Sequence, residues 1–155
     1  MKRVLAVAAL FGCVVCARAG APVKAADVKA ADVVHYRQSV MDLIGWNFGP
    51  LAAMTKGKTA WDAKEFAMRA ERIKSLSTQA IDGFANGPAN GGVETDAKTD
   101  IWNDLTDFHA KLDDFVNEAK ALDETARGGD EAKMKEQFHK TADTCKACHD
   151  KYKAS

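Results

Sequence analysis

The sequence predicts an all-α protein, folded as an antiparallel up-down-up-down four-helix bundle. Three observations carry that expectation. No stretch alternates apolar and polar residues as a half-buried strand would; four segments repeat apolar residues at spacings of three and four; and the breaks between them are two short turns and one longer glycine-rich loop. Helices joined in this way each turn an apolar stripe toward a shared core.

The first helix is expected from about Ala30 to Ala53, with Val33, Val34, Val40, Met41, Ile44, Phe48 and Leu51 along one side. Pro50 lacks an amide hydrogen and crowds the preceding turn, so a kink or an early end is expected near Gly49 and Pro50. KGKT (Lys56 to Thr59) makes the first break, and Asp62 followed by Glu65 resembles a capping box. The second helix then runs from about Ala63 to Asp82, with Phe66, Ala70, Ile73, Ser77, Ala80 and Phe84 as its stripe. Gly83 is a natural stop, and GFANGPANGG (Gly83 to Gly92) is the longest connection. The third helix is expected from about Lys98 to Thr125, where Ile101, Leu105, Phe108, Leu112, Phe115, Ala119 and Leu122 form a bundle seam. RGGD (Arg127 to Asp130) ends it. The fourth helix, from about Glu131 to Tyr152, carries Met134, Phe138, Ala142, Cys145, His149 and Tyr152 on one face.

At 155 residues the chain has the size of one domain, long enough to bury a core without covalent staples. The opening MKRVLAVAALFGCVVCARAG starts with Lys2 and Arg3, runs apolar from Val4 to Ala17, and reaches small residues at Ala17 and Ala19. That is the pattern of a secretory signal peptide over residues 1–19, with a mature domain at 20–155 exported to the periplasm. No membrane span is expected, because the apolar run falls short of the about 20 residues one needs. An uncleaved anchor and lipid attachment at Cys13, within LFGC, are the rival readings. The chain has 22 basic and 22 acidic residues, but Lys2, Arg3 and Arg18 belong to the leader, so the remainder is mildly acidic. This argues against a nucleic-acid partner, which demands a basic footprint.

Without the leader, Cys145 and Cys148 are the only cysteines. A bridge across two intervening residues would remove little chain entropy, so their purpose is chemical. On a helix Cys145, Cys148 and His149 share one side. The order C-x-x-C-H is the attachment sequence for c-type haem: two thiols at this spacing meet the two vinyl groups of the porphyrin edge, and the histidine comes beneath the iron. Two rivals use the same residues. A thiol-disulfide oxidoreductase would use Cys145 and Cys148 but usually opens a helix in a strand-containing fold. A zinc site would want a fourth ligand, and neither His109 nor His139 has a partnering spacing. His35, His109 and His139 read as surface or boundary residues. Trp46, Trp61 and Trp102 read as packing around the haem or at a subunit contact. No activated nucleophile or acid-base pair converges elsewhere, so no catalytic turnover is expected.

YRQSVMDLIGWNFGPLAAM (Tyr36 to Met54), DIW (Asp100 to Trp102) and CKACHDKYK (Cys145 to Lys153), with the haem motif at the C-terminal end, resemble the cytochrome c′ family. That family is itself a standing example of the up-down-up-down bundle. The resemblance spans essentially the whole mature chain. It implies one haem c per chain, covalently attached to Cys145 and Cys148, with His149 as axial iron ligand. Arg37 and Gln38 match the first-helix residues that approach the haem and its propionates, and Asp96 falls in a loop that passes near the haem edge. Members often carry arginine four residues after the histidine; Lys153 keeps the charge there without the planar fork. Met41 matches the residue covering the distal face. There it either blocks the iron, leaving a five-coordinate site for nitric oxide or carbon monoxide, or ligates it as in the low-spin electron carriers. The resemblance also implies redox-protein partners and a homodimer, often through the first two helices.

Overall fold

A computed structural model describes residues 28–85 and 87–154; the expected signal peptide and its cleavage point lie outside the described residues. The elements are α1 (Ala30–Thr55), α2 (Ala63–Ser77), a 3-10 helix (Ala80–Phe84), α3 (Asp100–Asn103), α4 (Leu105–Arg127) and α5 (Glu131–Tyr152). The four long helices α1, α2, α4 and α5 form the bundle. α1 packs on α2, α2 on α4 and α4 on α5, while α1 meets α5 over a much shorter stretch. Leu51, Phe66, Ala70, Ile73, Ala119, Leu122 and Met134 are wholly buried between them. Phe48 stacks on Phe138 with ring centroids 4.5 Å apart, and Trp61 lies 5.0 Å from Phe66.

Where the sequence pattern and the structure part, local chemistry gives the reason. α1 does not end at Pro50 but continues to Thr55. Pro50 cannot donate to the Trp46 carbonyl, and Arg69 Nη1 of α2 donates to that oxygen instead, at 3.3 Å. Asp62 caps α2 by accepting from the Lys64 and Glu65 amides at 2.9 and 3.0 Å. The reciprocal half of the capping box is missing, because the Glu65 carboxylate pairs with Arg69 at 2.8 Å.

α2 stops at Ser77, and the 3-10 helix keeps Ala80 and Phe84 on the buried side. The third expected helix is two: Asp104 ends α3 and starts α4, with φ −139° and ψ 65°. Its carboxylate accepts from the Asp107 amide at 3.2 Å, which makes the break a cap. Leu105 leaves the seam as a result and is exposed, while the rest of the expected stripe from Ile101 to Leu122 is buried. α5 has the expected bounds, started by Asp130 accepting from the Lys133 amide.

Two strand-like backbone contacts hold the last residues. Ala97 and Lys153 form an isolated antiparallel bridge, with the Lys98 amide on the Tyr152 carbonyl at 3.0 Å and the Ala154 amide on the Asp96 carbonyl at 2.7 Å. The loop before α3 and the end of α5 are thereby one unit.

Candidate haem-binding site

The lightly packed side of the bundle, between α1 and α5, opens into a cavity of about 560 Å³. α1 supplies Arg37, Gln38, Met41 and Asp42; the 3-10 helix supplies Phe84; the loop before α3 supplies Glu94 to Ala97. Ile101, Phe108 and Leu112 form an apolar wall, and α5 closes the ring with Cys148, His149, Tyr152 and Lys153. Of the eight residues singled out from the sequence, the cavity brings together all but Cys145. That residue lies half-buried against the hydrophobic core, one turn before Cys148.

Arg37 is the unusual group. Arginine is seldom buried without a carboxylate, yet this one is only 3 % exposed. Nη1 donates to the Gly83 carbonyl at 3.4 Å and Nη2 to the Thr95 hydroxyl at 3.2 Å, while Nε has no partner. Its guanidinium lies 5.4 Å from the Phe84 ring centre and 5.7 Å from that of Trp102. Burial lowers its pKa from the ordinary value, but a guanidinium stays charged at neutral pH. Gln38 donates to the Glu94 carbonyl at 2.9 Å, and Lys153 Nζ pairs with Asp96 Oδ2 at 2.9 Å. Asp96 is therefore tied to Lys153 as well as standing at the cavity.

His149 is exposed where it lines the cavity, and is not packed into the core face expected of it. Its pKa is lowered, first by burial of the ring and then by the Lys153 charge, so the imidazole is neutral at neutral pH and offers a lone pair. Burial pushes the Cys145 thiol up to about 11, and it raises Cys148 as well. A redox dithiol needs a lowered thiol pKa, so the oxidoreductase reading lacks its chemical requirement. Among the described residues no three His, Cys, Asp or Glu side chains stand close enough together to hold a metal ion.

These residues fit a haem. The wall is apolar, one neutral imidazole and one thiol stand on the same rim, and a buried cation with an unpartnered donor faces where an anionic group would be needed. Phe84, Thr95 and Tyr152 were not singled out from the sequence as site residues. Tyr152 could have been found from its place three residues after His149, on the same helix face. Thr95 and Phe84 reach the cavity through loop and 3-10 geometry that leaves no periodic trace. Trp102 stands behind Phe84 with its Nε1 donating to the Phe84 carbonyl, whereas Trp61 belongs to the aromatic packing around Phe66 and Trp46 is exposed.

The family model described as Cytochrome C' matches residues 32–153. Cytochrome c′ of Halomonas halodenitrificans is 37% identical over 127 residues, covering 79% of this chain and 96% of the relative. That of Rubrivivax gelatinosus is 38% identical over 125 residues, covering 81% and 96%. Among solved structures, cytochrome c prime from Shewanella frigidimarina matches with a TM-score of 0.77 at 38% identity, over 82% of this chain and 98% of that one. The nitric oxide complex of a point variant of cytochrome c prime from Alcaligenes xylosoxidans matches with a TM-score of 0.74 at 33% identity, over 83% and 98%. With the bundle and the cavity, these likenesses establish that the chain belongs to the cytochrome c′ family of non-enzymatic haem proteins.

Proposed function

We propose that the chain is an exported monohaem cytochrome that binds small uncharged gases, nitric oxide and carbon monoxide, and exchanges single electrons with redox proteins. The observation that carries this is one cavity lined by Cys148 and His149 from α5, Met41 from α1 and Arg37, whose Nε has no hydrogen-bond partner. Bound there, haem c supplies an iron that changes oxidation state and accepts a diatomic ligand.

The chain's own residues do the rest. Cys145 and Cys148 would hold the group covalently, and His149 would give its neutral imidazole to the iron. Arg37 would offer Nε, and Gln38 its amide, to the propionates. Met41, Phe84, Ile101, Phe108 and Leu112 keep water and ions out, so that uncharged diatomics enter preferentially. Met41 is half-buried and packs against the core, which supports a guard over the distal face and not a fixed ligand. Export rests on the signal-like pattern of residues 1–19.

A homodimer through α1 and α2 is supported by Leu43, Trp46 and Met68, exposed at 50, 74 and 39 %. Sedimentation of the holoprotein at twice the chain mass, reduced to a monomer in Trp46→Lys, checks it.

The haem reading is tested by peroxidase staining of the mature protein on a denaturing gel, followed by spectra with and without nitric oxide. A covalently bound haem with a five-coordinate high-spin spectrum, converted by nitric oxide, is expected. In Met41→Ala the spin state is expected to be unchanged and nitric oxide to bind faster. A low-spin spectrum that turns high-spin in Met41→Ala would assign the chain to the His/Met electron carriers instead. No stain would overturn the haem reading.

A further inference from the structure

The break between α3 and α4 faces the end of α5. Asp104 at the break and Asp107 one turn on present two carboxylates to the turn that follows His149. Lys151 Nζ lies 3.2 Å from Asp104 Oδ2 and 2.8 Å from Asp107 Oδ2. The Tyr152 hydroxyl donates to Asp107 Oδ2 at 2.7 Å, and its buried ring stands edge-on to Phe108 with centroids 5.3 Å apart. Asp107 does not line the cavity. Lys111 on its own helix, 3.9 Å away, is the other cation beside it.

The last turn of a helix leaves its carbonyls unpaired and is the softest part of it. His149 lies on such a turn; its carbonyl accepts from the amide of Lys153, the residue that caps the helix, at 3.0 Å. Tyr152, three residues on, shares its face, so fixing the Tyr152 hydroxyl fixes the angle at which the imidazole leaves the helix. The backbone bridge to Ala97 reaches the turn through main-chain atoms, with the Lys98 amide on the Tyr152 carbonyl at 3.0 Å. Asp107 holds the side chains of the turn, from a neighbouring helix and through two donors at once. A continuous helix through Asp104 would place Asp104 in the ladder and remove the cap that sets Asp107 in position.

We propose that Asp107, acting through Tyr152 and Lys151, is a positioning residue that sets the orientation of His149 toward the iron of the bound haem. The proposal rests on the haem reading above, and its test separates the two. Haem-stained holoproteins of Asp107→Asn, Asp107→Ala and Tyr152→Phe are compared by resonance Raman of the ferrous iron-histidine stretch. Hydrogen exchange of the C-terminal peptide is followed in parallel by mass spectrometry.

The stretch is expected to shift and broaden in Asp107→Ala and Tyr152→Phe, and to be largely restored in Asp107→Asn, which keeps an acceptor for the hydroxyl. Exchange at the Lys153 amide is expected to rise about tenfold in the first two, as for loss of one charge-assisted hydrogen bond. Asp123→Asn, about 24 Å away along α4, lowers stability without touching this turn and is expected to leave the stretch in place. A haem-bearing Asp107→Ala with an unshifted band overturns the proposal alone, as does an equal shift in Asp123→Asn, which would make the effect general loosening. A wild-type chain that carries no haem overturns the haem reading, and the proposal with it.

Discussion

Gly83 sits where a side chain has no room. A Cβ there would lie 2.3 Å from the Arg37 Cβ and 3.0 Å from its Cα, so the 3-10 helix approaches α1 backbone to backbone. That approach brings the Gly83 carbonyl to Arg37 Nη1 and the Phe84 ring beside the guanidinium. Gly83→Ala must push the two elements apart, because the atoms it meets belong to a helix and cannot rotate away. It is expected to destabilise by about 1–3 kcal/mol, read as a lower urea midpoint, and to weaken retention of a haem-sized anionic dye by the apoprotein. A midpoint unchanged from wild type would mean that α1 yields without cost. In the sequence Gly83 reads only as a helix stop. Its true constraint is a neighbour 46 residues away in sequence, which no local pattern records.

At the scale of elements, Pro50 and Arg69 form a testable pair. The proline withdraws one donor from the Trp46 carbonyl and the arginine supplies another from α2. Pro50→Ala restores the helical donor and is expected to raise stability. Arg69→Ala is expected to cost about 1 kcal/mol in the wild type and clearly less in the Pro50→Ala background. The Glu65 ion pair is lost in both cases, so the double-mutant cycle isolates the carbonyl. Equal losses would show that Arg69 does not compensate for the proline. The same pair explains what was legible. The bounds of α5 could be read closely because the RGGD break and its apolar spacing are local, and C-x-x-C-H lies within one turn. The continuation of α1 past Pro50, the break at Asp104 and the burial of Arg37 depend on groups from other elements. Apolar periodicity reports which face is buried and is silent on the polar partners that let a helix persist or stop.

Over the whole molecule, the end of the bundle away from the cavity is held by a charge cluster that governs behaviour in acid. Asp123 of α4, 4 % exposed, accepts from Lys74 of α2 at 2.6 Å and from Arg127 at 2.9 Å. Burial by itself would raise the Asp123 carboxyl, but the hydrogen bonds and charges of Lys74 and Arg127 outweigh it and hold the pKa below the usual carboxylate range. Because the folded value is depressed, the stabilisation is fully present above the unfolded value of about 3.9 and is lost as pH falls through the folded one. Asp123→Asn is expected to cost about 2 kcal/mol at pH 7, since the buried side chain keeps its shape but loses its charge-assisted bonds. Asp107 beside Lys151, Asp130 on the Lys133 amide and Glu136 beside Lys140 are also held low. They titrate alike in both proteins and cancel in the difference. Urea unfolding of wild type and Asp123→Asn from pH 7 down to about pH 3 is therefore expected to give curves that converge in acid. A gap independent of pH would mean that Asp123 stabilises the bundle by packing and not by charge.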